Sequence, residues 1–219
     1  TPDTAERVAH LRPFRLPGGE AAVKEPRRAA TGLLYEMFGE DLFDRTDWQQ
    51  LTAFSEAERT ALKTMLARRL NSPWCGSAGR LFDAVASLAG LRQKMRFEGQ
   101  AAMELEFALE GAETDAAYEF APGANSRPTA SPSTHQAPAI LDWSPMIRAI
   151  LEDVPRGVGI GEISARFHNA LAEGIVQMAH LSGCKRVALS GGCFQNRYLT
   201  ERTVRRLRQE GFQAYWHQR

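Results

Sequence analysis

Residues 185–216, KRVALSGGCFQNRYLTERTVRRLRQEGFQAYW, decide the reading of the fold. Val187, Ala188 and Leu189 form a short apolar run within 185–190 that predicts a buried strand. Gly191-Gly192 follows as a sharp turn, since glycine takes backbone angles closed to other residues. A helix is predicted from there to about Gln209, with Gly211 placed to end it. Residues 212–216 predict a second strand. Strand, turn, helix, strand is the pattern of an α/β layer with parallel strands, because a parallel pair needs a long crossover and that crossover is usually a helix.

Working back from this segment, Phe167, Leu171, Ile175 and Met178 make the buried stripe of a long helix over 160–181. Ser144-Pro145 is a cap followed by Pro at the first helical position, which predicts a helix to about Leu151. Residues 121–139, APGANSRPTASPSTHQAPA, hold no large apolar side chain. They predict an exposed loop between strands around 118–120 and 139–141. Four helices are predicted before it. Ala30, Leu33, Leu34, Met37 and Phe38 share one face after Pro26, with Gly39 as the stop. Ser55 and Glu58 have capping-box spacing before Leu62, Met65, Leu66 and Leu70. Leu81, Phe82, Val85 and Leu88 are periodic within 79–90, and 99–109 gives the fourth. Pro13, Pro17, Gly18, Gly19 and Pro26 punctuate the start, where no helix should run. The organisation read from this is an irregular entry segment over 1–26, a mainly helical subdomain over 27–111 and an α/β lobe over 112–219.

Composition sets the class. The chain has 219 residues, 43% hydrophobic and 24% charged, with a net charge of +1. That is ordinary for a globular protein and argues against nucleic acid or an anionic membrane as partner. No apolar run approaches the roughly 18–20 residues of a membrane span, and residues 1–15 lack a secretory signal pattern. A cytoplasmic protein is expected. Cys75, Cys184 and Cys193 show no CxxC or zinc-site spacing and are expected to be reduced thiols. The chain starts without an initiator Met, so a piece of something longer is expected.

The residues that could carry chemistry fall in three groups. In Ser190-Gly191-Gly192-Cys193-Phe194-Gln195-Asn196, two glycines let a ligand approach the backbone, and the helix start that follows offers free N–H groups. Asn196, expected in the first helical turn, could hydrogen-bond a base or a sugar. The plain alternative is a tight turn with no ligand. Neither a Rossmann GxGxxG nor a P-loop pattern is present. Arg80 and Asp83 share a helix face, and Glu98-Gly99-Gln100 opens the next helix. Alone, these read as a surface ion pair and a cap. Leu16-Pro-Gly-Gly-Glu20, beside Lys24, Arg27 and Arg28, reads as a solvated turn. His168 and His180 lie twelve positions apart and lack metal-pair spacing; His168 reads as a packing residue. Cys193 sits at a helix start, where a thiolate is stabilised, but no His is near in sequence. Arg202, Arg205, Arg206 and Arg208 read as a solvated basic face.

Four stretches taken in order carry a resemblance: SAGRLFDAVASLAGL, RFEGQAAMELE, IGEISARFHNALAEGIV and ALSGGCFQNRYLTE, with LPGGEAAVKEPRRAA upstream. Together they resemble the C-terminal region of the hydrogenase-maturation carbamoyltransferases, the HypF family. That region is related to the tRNA threonylcarbamoyladenosine transferases and to antibiotic O-carbamoyltransferases. The resemblance implies an actin/hexokinase-like (RNase H-like) α/β lobe, with a mixed sheet flanked by helices and a helical insertion. It also implies an ATP-dependent carbamoyltransferase. Such an enzyme would convert carbamoyl phosphate and ATP, through carbamoyl adenylate, and carbamoylate the C-terminal Cys thiol of a partner protein in nickel–iron hydrogenase maturation.

The resemblance makes 112–219 a nucleotide-binding lobe and supplies nucleotide contacts: Arg80, Asp83, Glu98, Gly99, Gly191, Gly192 and Asn196. Asp83 matches an Asp that contacts ribose in the tRNA-modifying relatives. Gly99 matches the first of a glycine pair whose second member is Gln100 here. Asn196 matches the Asn ending Gly-Gly-Val-x-x-Asn. Asp83 and Asn196 are expected to face one ligand. No catalytic residue is assigned. The family's paired-His motif and its Asp-Gly-Gly segment are not in this sequence, so the expected divalent metal would take its ligands from outside this chain. The acylphosphatase-like, zinc-finger and adenylate-forming domains are also outside it, and the chain alone is expected to be inactive. The alternatives are a hydroxyl or tRNA acceptor on the same fold, or a non-catalytic nucleotide-binding fragment; the near-neutral charge argues against tRNA.

Overall fold

The computed structural model describes residues 5–45, 48–122 and 137–217. The first half runs β1 (Ala9–Leu11), β2 (Phe14–Arg15), α1 (Glu20–Lys24), α2 (Pro26–Phe38), α3 (Gln49–Thr52), α4 (Glu56–Ala67), β3 (Trp74–Cys75), α5 (Ala78–Leu88) and α6 (Gln100–Phe107). The second half runs β4 (Ala121–Pro122), β5 (Ala139–Asp142), α7 (Ser144–Asp153), α8 (Ile160–Ser182), β6 (Arg186–Leu189), α9 (Arg197–Gln209) and β7 (Gln213–Trp216). Short 3-10 turns lie at Gly39–Asp44 and Gly192–Gln195.

The chain divides into two compact units. One holds Thr1–Arg12, Asp115–Met146 and Arg166–Arg219; the other holds Pro13–Thr114 and Ile147–Ala165. The division read from sequence put its later boundary at 112, near Asp115. It could not see that β1 joins the α/β unit or that 147–165 joins the helical one, because such pairings are long-range.

In the helical unit, α2 packs along α5. Ala29, Ala30, Leu33 and Leu34 of α2 and Leu81, Phe82, Ala84 and Val85 of α5 are fully buried. Gly32 permits the close crossing of β2 over α2: a Cβ there would stand 1.8 Å from the Arg15 carbonyl oxygen. The expected capping box forms at α4, with Ser55 N–H donating to Glu58 at 2.8 Å and Glu58 N–H donating back to the Ser55 hydroxyl at 3.3 Å. Two expectations change here. A short helix, α1, fits between the glycine turn and Pro26 within the segment read as irregular. Arg27, read as solvated, is 2% exposed. Its guanidinium lies 3.9 Å over Phe54 and is bonded to Glu25, to Glu58 and to the Ala53 carbonyl. Each nitrogen of that fork has an acceptor, which is what allows a cation into a core.

In the α/β unit, β5 pairs parallel with β1 and antiparallel with β4. The strand expected around 118–120 lies just beyond that range, at Ala121–Pro122; Tyr118 and Phe120 are buried in the irregular chain before it. Most of the loop expected over 121–139 lies outside the described residues. As expected, β6 and β7 pair in parallel, with Arg186 opposite Gln213 and Leu189 opposite Trp216. Val176 and Ala179 of α8, Leu189, Val204 and Leu207 of α9, and Phe212 form one cluster around this pair. Arg206 of α9 grips Glu173 of α8 through two bonds, 2.6 and 2.9 Å long. Arg202 is 8% exposed and bonds Asp115. The α9 arginines read as a solvated face thus include two that fasten the helix, because their stems lie along buried surface while their heads find carboxylates.

Candidate functional site

In the helical unit the candidate residues gather around Asp83. It lies on α5, a helix whose apolar face turns inward, and it is 1% exposed. Arg80, one turn earlier, places Nη1 2.8 Å from Asp83 Oδ2 and also donates to the Val23 carbonyl at 3.2 Å. The approach to Oδ2 lacks hydrogen-bond geometry, and Oδ2 is buried without a hydrogen-bond partner among the described residues. Burial drives the Asp83 pKa up to about 6; Arg80 opposes this and the negative charge of Glu98 adds to it. A pair read from sequence as a surface bridge is therefore buried at its acidic end. A carboxylate left in that state carries an unmet demand for a donor.

Glu98 is exposed, and Gly99 caps α6 in the left-handed region at φ +83° with open space where a Cβ would be. Gln100, the residue after it, faces inward: its side chain accepts from Arg96 N–H at 2.8 Å and donates to Glu104 at 3.0 Å.

In the α/β unit, parallel β6 and β7 end side by side at Leu189 and Trp216. In open α/β layers, ligands bind beyond the carboxyl ends of parallel strands. A cleft of about 430 Å³ opens there, lined by Ser190, Gly191, Phe194, Gln195, Trp216 and His217. Gly191 holds φ +109°, which L side chains rarely adopt, and both Gly191 and Gly192 have open space at the Cβ position. Phe194, Trp216 and His217 escaped the sequence reading. Their signal was available: each sits within two residues of the turn or of a predicted strand end.

Asn196 does something other than expected. It precedes α9 as its N-cap in an extended conformation (φ −67°, ψ 114°). Its Oδ1 accepts the Leu199 N–H at 2.8 Å, and its Nδ2 lies 2.9 Å from His168 Nε2. At 8% exposed, it does not line the cleft. Cys193, in the 3-10 turn, is half-buried. The Leu16–Glu20 turn is tied to the chain beside β3, with Gly18 N–H donating to the Asn71 carbonyl at 2.8 Å and Leu16 N–H to the Pro73 carbonyl at 3.0 Å. Asp83 and its neighbours thus belong to the helical unit, and Gly191, Gly192 and Asn196 to the α/β unit. Among the described residues, no three His, Cys, Asp or Glu side chains cluster in a way that could hold a metal ion. No helix among them is long and apolar enough to cross a membrane.

Comparison with known proteins places these residues in context. Residues 1–219 match a family model described as carbamoyltransferase, Kae1-like domain, second subdomain. Carbamoyltransferase HypF of a Synechocystis species is 34% identical over 228 aligned residues, covering 99% of this chain and 28% of that protein. A crystal structure of full-length HypF in a phosphate- and nucleotide-bound form superposes with a TM-score of 0.81 at 34% identity, over 97% of this chain and 26% of that one. The crystal structure of T. kodakarensis HypF gives a TM-score of 0.76 at 26% identity, over 96% of this chain and 27% of that one. The mixed α/β fold with small sheets flanked by helices is thus that of the Kae1-like HypF region. The chain spans roughly a quarter of the length of these proteins.

Proposed function

The chain belongs to the HypF carbamoyltransferases, as the second subdomain of their Kae1-like domain, and from that premise we propose that it supplies nucleotide contacts to an enzyme that carbamoylates a protein thiol. The observation that carries this reading is the family match over the whole chain. The nucleotide in the similar HypF structure supports it.

In this reading the complete protein converts carbamoyl phosphate and ATP to carbamoyl adenylate: phosphate leaves the carbamoyl group, pyrophosphate leaves ATP, and the carbamate oxygen bonds to the α-phosphorus. The C-terminal Cys thiolate of a hydrogenase-maturation partner attacks the carbonyl carbon. The bond from that carbon to the adenylate oxygen breaks, AMP departs, and the thiol proton goes to water. The product is a thiocarbamate on the partner, the precursor of a cyanide ligand of the nickel–iron centre.

This chain contributes binding and no assigned base or nucleophile. Asp83 accepts a ribose hydroxyl with Oδ2, which pairs with Arg80 and accepts no hydrogen bond among the described residues, and Glu98-Gly99 borders it. Gly191 and Gly192 let the nucleotide approach the backbone at the β6–β7 cleft, which Phe194 and Trp216 also line. Asn196 supports the same turn. The described residues offer no metal cluster. A divalent ion of the complete domain would be held from outside this chain, and no step here is routed through it.

The test uses the full-length protein, carbamoyl phosphate, ATP and a partner bearing a C-terminal Cys. Intact-mass measurement should show one carbamoyl group added to the partner, lost when its terminal Cys is replaced by Ser. Transfer instead to a small-molecule hydroxyl or to tRNA would reassign the acceptor and keep the fold's chemistry. The isolated chain should show no transfer.

A further inference from the structure

His168 is the buried group that the proposed chemistry leaves unused. It lies on α8, fully buried, between the rings of Phe167 (5.6 Å) and Tyr198 (5.7 Å), both tilted edge-on to it. Its Nε2 meets Asn196 Nδ2 at 2.9 Å.

The two ends of the Asn196 amide are fixed by chemistry. The Leu199 N–H is a donor, so the atom that receives it must be the carbonyl oxygen, and the NH2 group is the one facing His168. An amide NH2 only donates. His168 Nε2 must then accept, which places the proton of the neutral ring on Nδ1. A ring with hydrogen on Nε2 would set two donors against each other inside the core. Asn196 also ends the 3-10 turn Gly192–Gln195, and its own N–H donates to the Cys193 carbonyl at 3.2 Å. A chain of bonds therefore runs from a buried ring on α8, through one amide, to the first turn of α9 and to the glycine turn at the cleft. One position further along α8 and two further along the chain into α9, the link is repeated: Tyr198 donates to Asn169 at 2.9 Å, and Asn169 to the Ala116 carbonyl at 2.8 Å.

We infer that His168 is a positioning residue: as the Nδ1–H tautomer it orients the Asn196 amide, which caps α9 and sets the Gly191–Gln195 turn that shapes the cleft. The link to nucleotide rests on the function proposed above; the link to the cap does not.

The experiment uses the full-length protein with four variants: His168→Leu, His168→Gln, Asn196→Ser and the double variant His168→Leu/Asn196→Ser. Gln can present an oxygen acceptor near the place of Nε2. Ser keeps a cap oxygen for Leu199 N–H and deletes the donor toward His168. Two readouts are taken: ATP affinity by calorimetry, and hydrogen–deuterium exchange of the peptide covering residues 197–200. His168→Leu and Asn196→Ser should each weaken ATP binding roughly three- to tenfold and speed exchange at 197–200. The double variant should be no worse than either single one. His168→Gln should recover most of both losses. The inference is overturned if Gln behaves like Leu, if the two single effects multiply in the double variant, or if exchange at 197–200 is unchanged in the two loss variants. If wild-type protein does not bind ATP, the nucleotide reading fails, and the exchange data still decide the role of His168. If His168→Leu does not fold, Asn196→Ser alone carries the same comparison against wild type.

Discussion

The two sets of candidate residues handle buried polarity in opposite ways. Around Asp83 the helical unit buries a carboxylate and leaves one oxygen without a hydrogen bond among the described residues. Around Asn196 the α/β unit buries an amide and gives both of its ends a partner within the fold. What that unit leaves open is space, at two glycines beyond the ends of two parallel strands. One region is thus poised through an unmet bond and the other through shape. Matching residues to a family motif shows neither difference; only the local bonding does.

Four substitutions break or sharpen this contrast. The largest effect is expected for Arg27→Ala. Arg27 is as buried as Asp83 but fully bonded, so it should be structural. Removing it takes the donor from the Ala53 carbonyl and empties the space beneath Phe54, while Glu25 keeps Arg28; this should cost about 2–4 kcal/mol of stability, read by chemical denaturation, with ATP affinity of the folded fraction unchanged. Next is Gly191→Val. At φ +109° a β-branched residue is strained, by roughly 1–3 kcal/mol, and its side chain enters at the cleft. ATP affinity should fall more than stability does. Asn196→Ala follows. Loss of a cap costs about 1 kcal/mol, visible as a lower melting temperature, together with a several-fold loss of ATP affinity through the turn. If affinity fell sharply while the melting temperature stayed unchanged, Asn196 would touch nucleotide directly and the contrast would fail. Smallest is Cys193→Ser. In the proposed function the accepting thiol is on the partner, so transfer rate should stay within about twofold. Abolished transfer would move the covalent chemistry onto this chain.

Much of the fold was legible because local signals decide it. The capping box at Ser55, the glycine stop after Phe38 and the strand–turn–helix–strand of 185–216 all depend on neighbours in sequence. The parallel β6–β7 pair followed from chain length between strands. What stayed hidden depends on partners far along the chain. Arg27 and Arg202 look like surface cations until Glu58 and Asp115 are brought to them. β1 finds β5 across some 130 positions, which no periodicity reports. The candidate site divided the same way. Gly191, Gly192 and Asp83 were named from residue type and resemblance. The fixed cap at Asn196, its bond to His168 and the aromatic lining of the cleft required the structure.

Asp83→Asn tests the contrast most directly, through stability and ATP affinity of the full-length protein from pH 5 to 8. The carboxyl titrates near 6 in the fold against an ordinary value of 3.8. Between those values the folded state holds a proton that the unfolded state has released. Wild-type stability should therefore decline as pH rises from 5, by about 1.4 kcal/mol, and level off above about 7. Asn carries no charge to bury and escapes the decline. The variant should be more stable than wild type at pH 8, by a margin that shrinks toward pH 5, while binding ATP roughly ten- to a hundredfold more weakly. A variant that is less stable than wild type at pH 8, or that binds ATP as tightly, would show that Asp83 serves the fold and is not held for a ligand.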